Sequence, residues 1–207
     1  MKNVTDLIDS AARLSAEGLS KGEIADELNV SRETASWLVD RSTGETGDGD
    51  VPAGPDDVHV DWSAIGRSSA RLTAAGAAIA DLLADWVEDV DLVVGIEKAG
   101  TPLATVVARE LEVDLGTFTP PKHHWEDGEE TEVSGSFSQN FADVEGRNCI
   151  VVDDTITSGT TLTETVEAVR GRGGTPVACG VLVDKRGTDE VEGVPVSALL
   201  RVIRVGE

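Results

Sequence analysis

A parallel sheet flanked by helices, an α/β fold, preceded by a small all-α module, is the architecture this sequence predicts. Three observations carry that reading. From Val58 onward short apolar runs alternate with helical ones, the pattern of strands joined by crossover helices. Two of those apolar runs end in loops of small and polar residues, the place where parallel sheets hold ligands. Residues 1–41 show helical periodicity alone and are set apart by a segment rich in Gly, Pro, Asp and Thr.

The elements follow in order. Thr5 to Glu17 carries Leu7, Ile8, Ala11 and Leu14 on one helical face. Ser20 caps a second helix, Lys21 to Leu28, and Ser31 caps a third that holds Thr34, Ala35, Trp37 and Leu38. Residues 42–57 read as a linker. Ser68 to Val87 reads as one long Ala- and Leu-rich helix, Asp91 to Ile96 as a buried strand, Thr101 to Leu111 as a helix and Val113 to Phe118 as a strand. Cys149 to Val152 is a strand that leads into two carboxylates and a short loop, with a helix from Leu162 to Arg172. Thr175 to Val183 and Ala198 to Val205 complete the strands. The domain boundaries expected are therefore 1–41, linker 42–57 and 58–207.

Composition narrows the class. At 207 residues the chain holds one good core plus an appendage. It has 17 basic and 39 acidic residues, a net charge of −22, yet 40% hydrophobic residues, too many for a disordered acidic chain. The balance resembles the solvated surfaces of proteins from salt-loving archaea. Cys149 and Cys179 sit in apolar runs, as buried free thiols do, and no metal-ligand spacing is present. Neither a secretory signal nor a membrane-spanning run is visible, so a cytoplasmic protein is expected.

The segment Gly18 to Leu38 resembles a helix-turn-helix. Ala25 is the small residue at the crossing of two helices, and Asn29 takes a turn position that favours a left-handed backbone. Val30, Ala35 and Leu38 pack the second helix on the first. The resemblance makes DNA a partner, with Ser31, Arg32, Glu33 and Ser36 on the outward face of the recognition helix and Lys21 beside it. A generic three-helix module is the alternative. The first 41 residues hold five basic and eight acidic side chains, so this is no basic patch. A single short head binds weakly, which is the reason to expect a homodimer or a higher oligomer. Trp37 reads as a core or dimer-contact aromatic.

The stretch from Cys149 to Thr161 is the most specific signal. An apolar strand, Asp153, Asp154, then Thr155, Thr157, Ser158, Gly159, Thr160 and Thr161 give two carboxylates for paired hydroxyls and a small-residue loop at a helix start for a phosphate. This stretch resembles the phosphoribosyl-pyrophosphate (PRPP) motif of type I phosphoribosyltransferases. Val94 to Leu103 is similar to that family's pyrophosphate loop, with Gly95, Glu97, Lys98, Ala99 and Gly100 as its binding residues, Gly95 and Gly100 allowing close backbone approach. His59 to Ser69 also resembles the approach to the sheet domain, so the likeness covers Val58 to Glu207.

The resemblance implies a type I phosphoribosyltransferase-like fold and a flexible loop over the ligand, here Pro120 to Glu132, with Lys122, His123 and His124 near phosphate. Five acidic residues follow them, Glu126, Asp127, Glu129, Glu130 and Glu132, which oppose a polyanionic substrate. The histidines read equally well as exposed loop residues. No cofactor is demanded, although Mg²⁺ is compatible with a phosphorylated ligand. A helix-turn-helix joined to such a domain resembles the haloarchaeal transcriptional regulators of sugar catabolism with an orotate phosphoribosyltransferase-like domain. That implies a DNA-binding regulator sensing a phosphorylated effector. The alternative is an orotate-type transferase using PRPP and Mg²⁺.

Overall fold

The computed structural model describes residues 4–43, 55, 57–126, 129–133 and 135–203, with side chains left out at 87–89, 122–126 and 129–133. Contacts divide the chain into two compact units, Met1–Trp62 and Ser63–Glu207.

The first unit holds three helices, α1 (Val4–Ala16), α2 (Lys21–Leu28) and α3 (Arg32–Ser42). Their apolar faces close on one core of Leu7, Ala11, Leu14, Ile24, Ala25, Leu28, Val30, Ala35, Leu38 and Val39. Ser20 and Glu23 form a reciprocal capping box at the start of α2. Asn29 ends α2 in the left-handed region, φ 52° and ψ 45°, so the chain reverses within two residues before Ser31 caps α3. The segment from 57 packs back on this turn. Ser31 N–H and Thr34 Oγ1 donate to Asp57 Oδ2 at 2.7 and 2.9 Å, and His59 Nδ1 lies 2.7 Å from the Leu28 carbonyl.

The second unit is a seven-stranded sheet. It comprises β1 (Leu92–Ile96), β2 (Asp114–Thr119), β5 (Ser136–Phe137), β6 (Asn148–Ile156), β7 (Thr175–Asp184), β8 (Glu190–Val191) and β9 (Val194–Arg201), in the order β5-β2-β1-β6-β7-β9-β8. The five central strands are parallel, and the short edges β5 and β8 pair antiparallel. β3 (Lys122–Glu126) and β4 (Glu129–Val133) form a separate hairpin. Helices α4 (Ser63–Gly66), α5 (Ser69–Leu82), α6 (Gly100–Leu111) and α7 (Thr160–Gly171) complete it. Leu162 and Val166 of α7 pack on Ile96, Val151, Cys179, Val181 and Val196. The alternate residues face α5 and α6: a Cβ on Gly180 would meet Leu83 and Ile79, and one on Gly95 would meet Ala104.

The fold class expected from the sequence stands, with local corrections. The long helix expected to Val87 stops at Leu82 and tightens into a 3₁₀ turn, Ala84–Asp89, where Asp85 interrupts the apolar spacing. β6 runs to Ile156, not Val152, because the parallel ladder with β7 continues through Asp153↔Val181 and Ile156↔Asp184. Helix α7 begins at Thr160, as Gly159 supplies the sharp turn at φ 83°. The last long strand lies at Val194–Arg201, several residues earlier than its apolar run suggested, and the short β5 and β8 carry no periodic signal. Within the segment expected as a flexible loop, Lys122–Glu126 and Glu129–Val133 pair as the β3–β4 hairpin.

Candidate functional site

The carboxyl end of β6 and the start of α7 build one wall. Asp153 is half-buried and accepts the Asp154 N–H on Oδ1 at 2.8 Å. Asp154 is buried, 8% exposed, and Thr155 Oγ1 donates to its Oδ2 at 3.2 Å. Adjacent strand residues point to opposite faces, so the pair is split across the sheet. Thr157 and Thr161 are half-buried, Ser158 and Thr160 exposed. Ser158 Oγ takes the Thr160 N–H at 3.3 Å and lies 3.1 Å from Thr160 Oγ1. The first N–H groups of α7 have no partner within the helix, and Gly159 has no side chain to cap them. The amides of that turn other than Thr160's, the hydroxyls of Thr157, Ser158, Thr160 and Thr161, and the helix's positive end suit an anion there.

The second wall is the loop after β1. Its Glu97–Lys98 peptide is cis. Glu97 accepts from Thr119 Oγ1 at 2.9 Å and is tied to β2 through its N–H on the Phe118 carbonyl, also 2.9 Å. Lys98 is exposed and Ala99 half-buried. Gly100 is the meeting point of the two walls. A Cβ there would lie 2.6 Å from the Val152 carbonyl oxygen, 2.9 Å from Asp153 Cα and 3.0 Å from Asp153 Oδ1. Only a residue without a side chain lets α6 begin against the Asp153 backbone. The structure thus sets Gly95 beside Val152 and Gly100 against Val152 and Asp153, with Glu97, Lys98 and Ala99 on the loop between the two glycines. It gives no such account of Lys122, His123 and His124: their backbone lies in β3, and their side chains fall outside the described set.

Sequence reasoning missed a third element. Asp184, fully buried at the end of β7, accepts the N–H groups of Arg186, Gly187 and Thr188 at 2.8, 3.0 and 2.8 Å. That folds a tight loop beside the β6 loop, and Arg186 Nη1 donates to the Ser158 carbonyl at 2.7 Å. The signal was present as Val-Asp-Lys-Arg-Gly closing an apolar run, the same strand-end position as the twin aspartates. Among the described residues no group of three or more His, Cys, Asp or Glu is placed to hold a metal ion. Cys149 and Cys179 are buried free thiols, and burial pushes both up to about 12.

In the head, Arg32 and Glu33 are exposed on the first turn of α3. The other three residues assigned to that face also hold the module together. Lys21 Nζ donates to Ser36 Oγ at 2.7 Å and to Asp40 at 3.1 Å, and Ser31 is the half-buried cap. Trp37 is half-buried, packs against the head core and lies under Arg41, 5.2 Å from ring centroid to guanidinium carbon.

The Phosphoribosyl transferase domain family matches residues 61–201. Along its whole length the chain is 64% identical to the transcriptional regulator GfcR of Halobacterium salinarum, covering 98% of that protein. It is 60% identical to GfcR of Haloferax volcanii, covering all of both chains, and 45% identical to GfcR of Methanocella arvoryzae, covering 99% of this chain and all of that one. The chain belongs to the GfcR family of transcriptional regulators. Among solved structures it is similar to the orotate phosphoribosyltransferase of Aeropyrum pernix, TM-score 0.56, 21% identity, over 80% of this chain and 93% of that one. The Mycobacterium tuberculosis orotate phosphoribosyltransferase in complex with PRPP gives TM-score 0.54 at 23% identity, over 69% of this chain and 80% of that one.

These structural likenesses establish the type I phosphoribosyltransferase fold. GfcR membership makes the chain a transcriptional regulator that carries this fold, acting on DNA. Its acidic composition agrees with the haloarchaeal sources of its relatives. No described helix is long and apolar enough to cross a membrane.

Proposed function

We propose that the sheet unit is a sensor for a phosphorylated, ribose-like metabolite and that its occupancy sets how the helical head engages an operator. The observation that supports this reading is Gly100 seated on Asp153, which would let the Glu97–Gly100 loop and the Asp153–Thr161 loop act as one polar site. Amides and hydroxyls of Thr157, Ser158, Gly159, Thr160 and Thr161 would hold the phosphate. Asp153, on the side of Gly100, would face hydroxyls, Asp154 and Thr155 would hold the strand end from the opposite face, Lys98 would meet a second anionic group, and Lys122, His123 and His124 would close over it. Mg²⁺ would accompany a diphosphate, balancing its charge. In a homodimer the ligand would alter the pairing of two heads with two half-sites, through Arg32, Glu33, Lys21, Ser31 and Ser36. The resemblance noted from sequence directs the search for target genes to sugar catabolism in the cytoplasm.

The test pairs two measurements. Ribose 5-phosphate and PRPP should raise the melting temperature of the full chain, as any ligand selective for the native state does. The same compounds should change a footprint on the region upstream of its own coding sequence. Stabilisation without any change in the footprint would refute sensing. The completeness of both loops also supports a second reading, transferase activity. Pyrophosphate release from PRPP with orotate, lost on Asp154→Asn, would favour it.

A further inference from the structure

We infer that Arg186 is a ligand-contacting residue of this site, a guanidinium held at the lip of the Ser158–Thr161 loop to meet the effector's phosphate. The inference rests on reading that loop as the effector site. Three features support it. Arg186 Nη1 donates to the Ser158 carbonyl at 2.7 Å and stands 2.8 Å from where a Gly159 Cβ would be, so the head group lies directly over the helix start. Its backbone is fixed from beneath by Asp184, a carboxylate wholly out of solvent whose two oxygens accept three consecutive N–H groups. A buried charge committed to shaping one exposed loop is costly unless that shape matters. Third, Arg147, Arg172 and Arg201 of the same unit each pair with a carboxylate, whereas Arg186, like Arg71 and Arg170, bonds a main-chain carbonyl among the described residues, and of these three it is the one placed on the Ser158–Thr161 loop. One of its five N–H groups is spent on a carbonyl, leaving the others for an anion in a planar fork that lysine cannot copy.

The experiment uses the full chain, with inorganic phosphate and ribose 5-phosphate as probes, read by calorimetric titration. Arg186→Gln should weaken ribose 5-phosphate binding by about tenfold or more, the scale of a lost charge-assisted bond, and Arg186→Lys should recover only part of it. The unliganded melting temperature of both variants should stay near that of the wild type, because the side chain is exposed. Equal affinity in Arg186→Gln and wild type overturns the inference and leaves the effector reading intact. A wild type that binds neither probe overturns both.

A separate observation in the head carries a second inference. We infer that Asp57 is an internal phosphate mimic that holds the start of the recognition helix against DNA. Its Oδ2 takes the Ser31 N–H and the Thr34 hydroxyl, the donors a backbone phosphate would use at the start of α3. Asp57 Oδ1 takes the Val58 N–H, and His59 Nδ1 bonds to the Leu28 carbonyl, so the strap is anchored on both sides of the α2–α3 turn. The strap continues within a few residues into α4, so it lies on the covalent path between the units. Release of the strap would remove a negative charge and expose two donors together.

Fluorescence anisotropy with a labelled duplex from the protein's own upstream region tests this on the full chain. Asp57→Asn keeps the cap's shape and an acceptor oxygen but not the charge. It should bind several-fold tighter, by roughly the amount that one helix-terminal charge contributes. Asp57→Ala should do the same where the head remains helical by circular dichroism. Unchanged or weaker binding by Asp57→Asn, with helicity intact, overturns the inference and reduces Asp57 to a structural cap.

Discussion

Gly100→Ala probes the contact on which the proposed site is built. The added carbon would sit 2.6 Å from the Val152 oxygen and 2.9 Å from Asp153 Cα, both main-chain atoms of β6. That strand cannot retreat, since Val152 is paired with Gly95 of β1 and Asp153 with Val181 of β7. The start of α6 must therefore lift by about 1 Å to reach ordinary contact distance, at the ~1–3 kcal/mol typical of overpacking. Reduced freedom of the unfolded chain returns ~0.4–1 kcal/mol, so a net loss of about 1–2 kcal/mol remains. In a domain of this size that lowers the melting temperature by ~2–8 °C. Gly171→Ala is the control, with nothing within 4 Å of its Cβ and a backbone outside the left-handed region, and it should be neutral or slightly stabilising. Scanning calorimetry with and without ribose 5-phosphate measures both effects. The added methyl should also abolish most ligand-induced stabilisation, because it displaces the Glu97–Gly100 loop from Asp153. A Gly100→Ala protein with wild-type stability and ligand response would refute the close approach of the two loops.

Other expectations are simpler. Asn29→Val should destabilise the head by ~1–2 kcal/mol in thermal unfolding, because a β-branched residue resists φ 52°, whereas Asn29→Gly should be tolerated. Arg32→Ala should weaken duplex binding in anisotropy with little change in melting, as its side chain is exposed. Cys149 and Cys179 should resist alkylation until the sheet unit unfolds. Their folded thiols, pushed up to about 12 from 9.0, hold protons the unfolded chain gives up, so stability is complete below pH 9 and falls as pH rises from there toward 12. The double Cys→Ala variant should flatten that alkaline slope in equilibrium denaturation.

Periodicity made the three head helices legible, since each buries a single stripe, and α2 and α3 start at capping serines. It also located the central strands, whose apolar runs are buried on both faces. It failed where neighbours decide. The ladder with β7 carries β6 through two aspartates that no propensity would place in a strand. At the site, small residues and carboxylates at strand ends announced two loops, while the third went unread because Asp184 acts through main-chain hydrogen bonds that leave no spacing rule. The docking of Asp57 on α3 is equally silent, as it joins positions 23 and 26 residues apart.

On the proposed function, both units face the same electrostatic problem in meeting a phosphate. With 39 carboxylates against 17 basic groups, the averaged field of the chain repels polyanions. Long-range steering therefore gives neither DNA nor effector an advantage, and attraction must come from donors at contact range. The starts of α3 and α7 supply that kind of donor, fixed amides whose partial charge is felt within a turn and whose geometry is set by the backbone. One is now satisfied by a carboxylate from its own chain, the other lies beneath a guanidinium. Such a design weakens indiscriminate binding and makes affinity depend on fit. If the proposed sites hold, selectivity in a regulator carrying this much negative charge would come from the arrangement of a few amides and hydroxyls, not from a basic surface.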